Sequence, residues 1–257
     1  MFAGPQFFDC EIEMKTLLFI LSLILFAVVS AFSQPKAQSS PTALPDTFEA
    51  EKQLAKLAVE AHGGEKLRKM STLFISGSVD VTASASPQSI PATFITIFAG
   101  DRYRVEINNP FQPLKQAFDG KTTISSIANG FQLPPFNRIG LIMLQRAGDS
   151  GFAITSIPDN KKKRGFRVTS PEGYVTDFYL DEKTNQIKSY NATYTVNGRE
   201  VKTVVEIDRV KVVEGVVVPE KYAQRIDLEQ ISAYAAFTAK VIQVNAAVAD
   251  DVFTSVN

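Results

Sequence analysis

The chain contains little of the chemistry on which enzymes depend. Its 257 residues include one histidine, one cysteine and no tryptophan. A nucleophilic triad with a histidine base could use only His62. No serine lies in a G-x-S-x-G turn, and no His/Cys cluster has the spacing of a zinc site. His62 stands beside Gly63-Gly64 at the end of a predicted helix, where an imidazole favours the helix dipole. We expect no enzyme, no metal and no cofactor, with a general base at His62 as the alternative.

Charge of one sign is not in excess either, because 27 basic residues balance 27 acidic ones. This balance argues against nucleic acid as a partner and against general attraction to anionic surfaces. The one basic cluster, Lys161–Arg164, follows Pro158-Asp159-Asn160 and precedes a glycine. That setting indicates a solvated hairpin tip. Contact with an anionic lipid headgroup is the functional alternative.

A secretion signal is predicted to begin at Met14. Lys15 supplies the positive charge, Leu17–Val29 is an apolar run broken by one serine, and Ala31-Phe32-Ser33 offers the small-x-small cleavage pattern. At roughly 1.5 Å per residue the run extends over about 20 Å. That is less than the hydrocarbon core of a bilayer, about 30 Å. We therefore predict a cleaved signal, with an uncleaved single-span anchor as the alternative.

This signal divides the chain into four segments and makes the protein periplasmic. They are an over-extended reading frame (1–13), the signal peptide (14–33), a disordered spacer rich in Ser, Pro and Gln (34–45) and a single domain (46–257). Cys10 precedes the signal, so the protein cleaved near Ser33-Gln34 would have no disulfide framework and no lipid anchor. We expect it to depend on its hydrophobic core.

The domain is predicted to begin with a helix. Asp46 and Glu49 have the spacing of a capping box. Apolar residues then recur at i, i+3, i+4 and i+7: Leu54, Leu57, Ala58 and Ala61. Gly63-Gly64 would end this helix, because glycine tolerates the left-handed conformation there. A second turn or two is predicted over Glu65–Met70.

From Leu73 onward the hydrophobic period changes to two, which is typical of β-strands. We predict strands over Thr93–Phe98, Tyr103–Ile107, Thr122–Ile127, Phe166–Ser170, Tyr174–Leu180, Ile187–Val196, Val201–Val213, Val216–Ala223 and Ala235–Val244. Tight turns separate them, and Asn197-Gly198 is the strongest hairpin signal. Such a series indicates an antiparallel meander. The segment Ile139–Ala147 is apolar without alternation and is predicted to be a short helix that interrupts the sheet.

Several strands are apolar on both faces, above all Thr93–Phe98 and Val216–Val218. An antiparallel strand with one wet face alternates apolar and polar residues. Two apolar faces therefore predict packing on both sides, or an apolar concavity under a cover. The two predicted helices are the available covers.

Two short motifs are predicted to be turns. Gly120-Lys121-Thr122 is similar to the end of a phosphate loop, but Lys115 stands where the first glycine is required. We interpret it as a hairpin turn. Asp250-Asp251, near the end of the sequence, is a poor acid/base arrangement and is predicted to be a turn or a helix start.

Five segments together resemble the LolA-like family of periplasmic lipoprotein carriers. They are GDRYRVEI (100–107), FDGKT (118–122), RIGLIMLQRAG (138–148), GFRVTSPEGYVTDFYLDEKTNQIKSY (165–190) and VNAAVADDVFTSV (244–256). The resemblance extends over roughly Glu51–Val256, and the Asp-Gly-Lys-Thr turn is its most specific part. The last segment also resembles superfamily members that are not carriers.

This resemblance implies a mainly β (α+β) fold. The family has an incomplete antiparallel β-barrel, and its apolar concave side would be covered here by the N-terminal helix and the short inserted helix as a lid. The cavity is implied to hold a lipid or lipoprotein acyl chain. The protein would then be a monomeric carrier with a membrane donor or acceptor as its partner. LolA carriers latch the lid with a basic residue just before the turn that precedes the second long strand. Phe98-Ala99 stands there in this chain, and Arg102 and Arg104 come only after the turn.

The candidate lipid-binding residues combine this resemblance with the two-faced strands. They are Leu54, Leu57 and Ala61 on the first helix, Phe94, Tyr103 and Val105 on strands, and Ile139, Ile142 and Met143 on the second cover. An ordinary core without a cavity is the alternative at these positions. For the whole molecule, the alternative is an envelope regulatory or structural domain that binds a protein partner, for example by its sheet edge.

Overall fold

One antiparallel sheet makes up most of the molecule. The structure is a computed structural model and describes residues 47–84, 86–111, 113–126, 133–158, 163–196, 198–228 and 231–256. All of them belong to the unit Pro45–Asn257. The predicted reading-frame extension, signal and spacer lie outside the described residues, as do Cys10 and Asp46.

Twelve strands and three short helices form the unit. The strands are β1 (Thr72–Ala83), β2 (Ser86–Ala99), β3 (Arg102–Asn108), β4 (Leu114–Phe118), β5 (Thr123–Ser125), β6 (Ala153–Thr155), β7 (Gly165–Thr169), β8 (Val175–Leu180), β9 (Ile187–Val196), β10 (Arg199–Val213), β11 (Val216–Leu228) and β12 (Ile231–Val244). The helices are α1 (Glu49–Ala61), α2 (Glu65–Arg68) and α3 (Gly140–Gln145), and Phe136–Arg138 and Asp250–Phe253 form 3-10 turns.

The order of the strands determines where the chain must cross the sheet. Strands β1 to β5 form one meander and β6 to β12 a second, and β1 pairs with β12 between them. The sheet is open, with β5 and β6 at its two edges. These two strands are consecutive in the chain, so their connection passes from one edge to the other. It contains α3, and we call residues 133–147 the lid segment. The predicted open antiparallel barrel with an inserted helix is confirmed.

Most of the predicted strands are present, and several are longer than predicted. Strand β2 begins at Ser86, β11 extends to Leu228 and β12 begins at Ile231. Strands β4 and β6 were not predicted. Strand β4 has the sequence Leu-Lys-Gln-Ala-Phe. It lacks apolar alternation because a polar residue, Gln116, is buried at its centre. Strand β6 has only three residues, too few for a periodic signal.

Helix α1 ends as predicted but begins differently. Gly63 and Gly64 follow it with φ of 118° and 55°, values that favour glycine. At the other end, the N-cap is Phe48, whose side chain makes no capping hydrogen bond. Asp46, predicted to form a capping box with Glu49, lies outside the described residues, and the described helix begins at Glu49.

The buried face of α1 differs from the predicted stripe. Ala55, Ala58 and Val59 are buried, whereas Leu54, Leu57 and Ala61 are half-buried. The helix packs against β6, β7 and α3. The small side chains of the two buried alanines allow a close approach to these elements, so they lie at the contact and the larger leucines flank it.

Strand β2 is apolar on both faces because both faces are covered. Phe94 and Phe98 belong to the main core on the concave side. Ile97 and Ala99 belong to a smaller core on the convex side, together with Phe253, which is fully buried. The predicted two-sided packing is confirmed. The two predicted helices were the expected covers, but the convex face of β2 is covered by the C-terminal segment instead.

Two arginines after the β2–β3 turn hold this C-terminal segment. Arg102 pairs with Asp250 at 2.7 Å, and its guanidinium lies 4.7 Å from the centre of the Phe253 ring. Arg104 donates a hydrogen bond of 2.8 Å to the carbonyl oxygen of Val252. Asp250 begins a 3-10 turn, which confirms the predicted turn or helix start.

Candidate functional site: a cavity under the lid segment

An apolar cavity lies between the concave face of the sheet and the lid segment. Its volume is about 120 Å³. For comparison, an engineered apolar cavity of about 150 Å³ in another protein stays dry and binds benzene. The cavity is thus large enough for a small hydrocarbon group while the lid segment is closed.

Side chains from seven strands form the walls. They are Leu73, Ile75, Phe94, Thr96, Phe98, Val105, Ile107, Ile187, Tyr190, Val205, Ile207, Val218, Pro219, Tyr222, Gln224, Ile226, Ala235 and Phe237, with His62 beside them. The lid segment supplies the roof, which consists of Leu133, Phe136, Ile139, Gly140, Leu141 and Ile142. The described residues of the lining include no Asp, Glu, Lys or Arg.

Four of the nine predicted candidates line this cavity, namely Phe94, Val105, Ile139 and Ile142. The other five are not part of the lining: Leu54, Leu57, Ala61, Tyr103 and Met143. For the three on α1 the reason is the position of the helix, which packs against β6 and β7. Met143 is fully buried within the main core. None of these placements tests whether a lipid binds.

Tyr103 belongs instead to a polar contact that holds the start of the lid segment. Gln116 Nε2 donates to the Tyr103 hydroxyl at 2.8 Å and to the carbonyl oxygen of Leu133 at 3.2 Å. The backbone N–H of Leu133 donates in turn to Gln116 Oε1 at 2.8 Å. The Gln116 amide therefore satisfies both backbone groups of Leu133 inside the core, as a neighbouring strand would.

His62 is neutral and fixed in one tautomer. Its Nδ1 lies 2.8 Å from the carbonyl oxygen of Ala58, which can only accept, so Nδ1 carries the proton. The N–H of Ile187 donates to Nε2 at 3.4 Å. Burial lowers the pKa of the imidazole. As expected from its place at the end of α1, the ring donates to a carbonyl of the last helical turn, and it is a buried structural group with both nitrogens occupied.

Two tyrosine hydroxyls interrupt the apolar lining. Tyr190 on β9 and Tyr222 on β11 are separated by β10, where their partners in the register are Val205 and Ile207. Burial raises the pKa of both hydroxyls, so they remain protonated, and no hydrogen bond to a described residue accompanies either one. The Tyr190 hydroxyl lies so close to Gly140 that a Cβ there would approach it to 2.9 Å.

Arg138 latches the lid segment to both halves of the sheet. Its guanidinium donates to both carboxylate oxygens of Asp101, in the β2–β3 turn, at 2.7 and 3.0 Å. It also donates to both oxygens of Glu172, in the β7–β8 turn, at 2.8 and 3.1 Å. The Arg138 side chain is 8% exposed, and each carboxylate is 47% exposed. We call these three residues the Arg138 latch.

The electrostatics of the latch favour the charged forms of both acids. The Arg138 guanidinium holds the pKa of Glu172 at about 2 and lowers the pKa of Asp101 as well. Arg138 itself has a raised pKa, because these carboxylate contacts outweigh its burial. In this latch the acid lies in the β2–β3 turn and the arginine lies on the lid segment.

A second set of hydrogen bonds holds the other end of the lid segment to α2. Gln145 Nε2 donates to the carbonyl oxygens of Leu67 at 2.9 Å and Met70 at 2.8 Å. Arg68 donates to the carbonyl oxygen of Ala147 at 3.0 Å. The segment is therefore fixed at its start, its middle and its end. Sequence reasoning missed these anchors, although Arg138 and Gln145 both lie in the quoted segment RIGLIMLQRAG.

The remaining motifs add no reactive centre. Asp119 accepts hydrogen bonds from the N–H groups of Lys121 and Thr122, which confirms a hairpin turn at Gly120. No group of three or more His, Cys, Asp or Glu residues is arranged for a metal ion in the described part of the chain. None of the helices among the described residues combines the length and apolar character that crossing a membrane requires.

The predicted basic cluster lies partly outside the described residues, since only Lys163 and Arg164 of its four members are described. The Lys163 ammonium lies 5.0 Å from the centre of the Tyr179 ring. Arg164 donates a hydrogen bond to Asn185. These contacts do not distinguish a solvated turn from a headgroup contact.

Fold and site together define an open antiparallel barrel with an apolar cavity under a latched lid segment. No protein-family model and no curated protein sequence match the chain. It is similar to the crystal structure of a LolA superfamily protein from Nitrosomonas europaea, with a TM-score of 0.47 and 10% identity over 80% of this chain and 97% of the other.

Two further crystal structures are similar. One is a DUF1329 family protein from Desulfovibrio piger, with a TM-score of 0.46 and 11% identity over 79% of this chain and 96% of the other. The other is a domain described as an outer membrane lipoprotein-sorting protein, from Vibrio parahaemolyticus, with a TM-score of 0.41 and 9% identity over 77% and 97%. Because all three TM-scores are below 0.5, these similarities do not indicate a function for this chain.

Proposed function

We propose that the protein is an exported, non-enzymatic member of the LolA-like superfamily that binds a lipid or a lipoprotein acyl chain in the cavity under the lid segment. The observation that carries this proposal is the cavity itself. It lies in the concave face of an open sheet, none of its described lining residues is ionised, and its roof is a separate segment held by specific polar contacts.

Burial of methylene groups supplies the driving force. Each methylene that leaves water contributes about 0.8 kcal/mol. Opening the lid segment breaks the ion pairs of the latch, whose carboxylates are half-exposed, and costs about 1–3 kcal/mol. About two to four buried methylenes would offset this cost. A cavity of about 120 Å³ holds only a small part of a long chain, so a full acyl chain requires this opening.

The predicted signal places this activity in the periplasm. Cleavage near Ser33-Gln34 would release a protein without a lipid anchor, able to exchange its ligand with a membrane donor or acceptor. The alternative, a regulatory or structural domain that binds a protein by its sheet edge, receives less support. Each edge strand has three residues among those described, and short edge strands are typical of edges that do not recruit partners.

A cavity-filling substitution tests the proposal. Ala235 lines the cavity, whereas Ala236 is exposed on the opposite face of β12. We expect a fluorescent hydrophobic probe to bind the folded protein and to be displaced by fatty acyl compounds. Ala235→Phe should reduce probe affinity at least tenfold, and the matched Ala236→Phe should leave it unchanged. A charged residue at Val105 should abolish binding. Equal affinity in a folded Ala235→Phe protein and the wild type would refute the proposal.

A further inference from the structure

We infer that the cavity recognises a neutral carbonyl group on its acyl ligand, an ester or an amide, through the hydroxyls of Tyr190 and Tyr222. This inference rests on the proposed function and specifies the chemical class of the ligand. The two hydroxyls line a cavity that is otherwise almost wholly apolar, and no described residue accepts a hydrogen bond from them.

A hydroxyl in the cavity that has no partner in the protein can form a hydrogen bond only with water or with a ligand. A ligand atom that accepts from both tyrosines would supply a partner to each. A carbonyl oxygen has two lone pairs and can accept two hydrogen bonds at once. The register brings the tyrosines to the same face on either side of β10, and Coulomb interaction between them contributes to the raised pKa of Tyr222.

The charges around the cavity exclude an ionised headgroup. The described residues of the lining include no lysine or arginine, and the imidazole of His62 is neutral with both nitrogens occupied. An isolated carboxylate in such a site would be strongly destabilised, because two hydroxyls without a cation compensate only in part for its lost hydration. A free fatty acid could therefore bind only in its protonated form. An ester or amide carbonyl meets the same hydroxyls without a charge.

A third polar group can serve the same ligand. Gln224 on β11 also lines the cavity and donates from Nε2 to the Thr203 hydroxyl at 3.0 Å. Its Oε1 has no hydrogen bond among the described contacts and would accept from an amide N–H. The Tyr190 hydroxyl lies against Gly140 of the roof, so the recognised carbonyl would lie near the lid segment and the acyl carbons deeper in the cavity.

Displacement of a fluorescent apolar probe by three ligands tests this inference. The ligands are methyl decanoate, decanoate and an alkane of equal length, and the proteins are wild type, Tyr190→Phe, Tyr222→Phe and the double variant. At pH 8 we expect wild type to bind the ester more tightly than either other ligand. Each single substitution should weaken ester binding about 3- to 10-fold, since one hydrogen bond contributes about 0.5–1.5 kcal/mol. Alkane binding should not change.

A matched control is available on the same strand. The Tyr194 hydroxyl is buried without a hydrogen-bond partner and lies outside the cavity lining. Tyr194→Phe should leave all three affinities unchanged. Lowering the pH to 4 should improve decanoate binding, because the acid becomes protonated.

The possible results separate this inference from the proposed function. If the alkane binds and the ester has no advantage that depends on the two tyrosines, the inference is wrong and the proposed function stands. If ionised decanoate binds as tightly as the ester, the inference is also wrong. If neither the probe nor any acyl compound binds wild type, both are refuted.

Discussion

At the scale of single residues, the buried polar side chains have structural roles that composition alone does not reveal. The side-chain amide of Gln116 forms hydrogen bonds with the backbone N–H and carbonyl groups of Leu133. His62 joins the end of α1 to the start of β9 through its two ring nitrogens. The sequence identified His62 as an isolated imidazole without catalytic partners. It did not predict burial of the ring, because the residues that surround it come from strands more than one hundred positions away.

The neutral state of His62 gives a pH dependence to stability. Its pKa is lowered from 6.5 in the folded protein, so the unfolded chain binds the proton more readily. The stabilising effect is therefore complete above about pH 6.5 and decreases as the pH falls below that value. We expect His62→Gln to lower the free energy of unfolding by about 2–4 kcal/mol at pH 8.

The same variant should lose the corresponding pH dependence. Urea unfolding of both proteins at pH 8, 6.5 and 5 measures the difference between them, which should shrink as the pH falls. Parallel profiles for wild type and His62→Gln would contradict a neutral buried imidazole. Acyl binding by the folded variant should persist, whereas loss of a measurable chemical activity would favour an enzyme.

At the scale of elements, the sequence predicted which segments form helices and strands better than it predicted which elements pack against each other. The two-faced pattern of β2 correctly predicted two covered faces, because burial on each face selects apolar residues regardless of what covers it. It could not show that the convex cover is the C-terminal segment. Helix α1 was predicted to turn leucines toward the cavity, yet close packing on β6 and β7 selected alanines for the contact.

At this scale we expect the Arg138 latch to control access to the cavity. It joins the lid segment to turns from both meanders of the sheet. Arg138→Gln should therefore increase hydrogen exchange of the backbone amides in the lid segment, by an amount corresponding to about 1–3 kcal/mol. Arg167→Gln is a matched control, since Arg167 makes a similar bidentate ion pair with Asp177 between β7 and β8. Unchanged exchange in Arg138→Gln would show that the latch does not hold the segment.

Acid should release this latch. The pKa of Glu172 falls from 4.5 to about 2 on folding, so its contribution is complete above about pH 4.5 and is lost as the pH falls toward 2. We expect the rate of probe uptake by wild type to rise over this range. In Arg138→Gln the uptake rate should already be high at pH 6 and should respond less to acid. The same acid response in both proteins would exclude the latch as its source.

At the scale of the whole molecule, the open sheet explains why a lid exists at all. Strands β5 and β6 are consecutive in the chain but lie at opposite edges, so the segment between them crosses the opening. Turn signals and strand periodicity are local, so the sequence predicted an antiparallel meander with an inserted helix, whereas the open barrel was implied by the resemblance to the LolA-like family. The cavity's polar groups were not predicted, because Tyr190, Tyr222 and Gln224 have the same strand pattern as ordinary core or surface residues.

Export is a prediction at this scale that concerns residues outside the described part of the chain. Lys15, the run Leu17–Val29 and the Ala31-x-Ser33 pattern predict translation from Met14 and a mature N-terminus within a few residues of Gln34. N-terminal sequencing of the exported protein measures this directly. Detection of residues before Lys15 in that protein would contradict the prediction.

Native mass spectrometry of the protein purified from the periplasm would show whether the cavity holds an acyl chain in the cell, with Ala235→Phe and Ala236→Phe proteins prepared in parallel. We expect lipid to co-purify with wild type and with Ala236→Phe, and Ala235→Phe to be free of lipid. Wild-type protein that carries no lipid and takes up none from added acyl esters would refute lipid binding in the cavity.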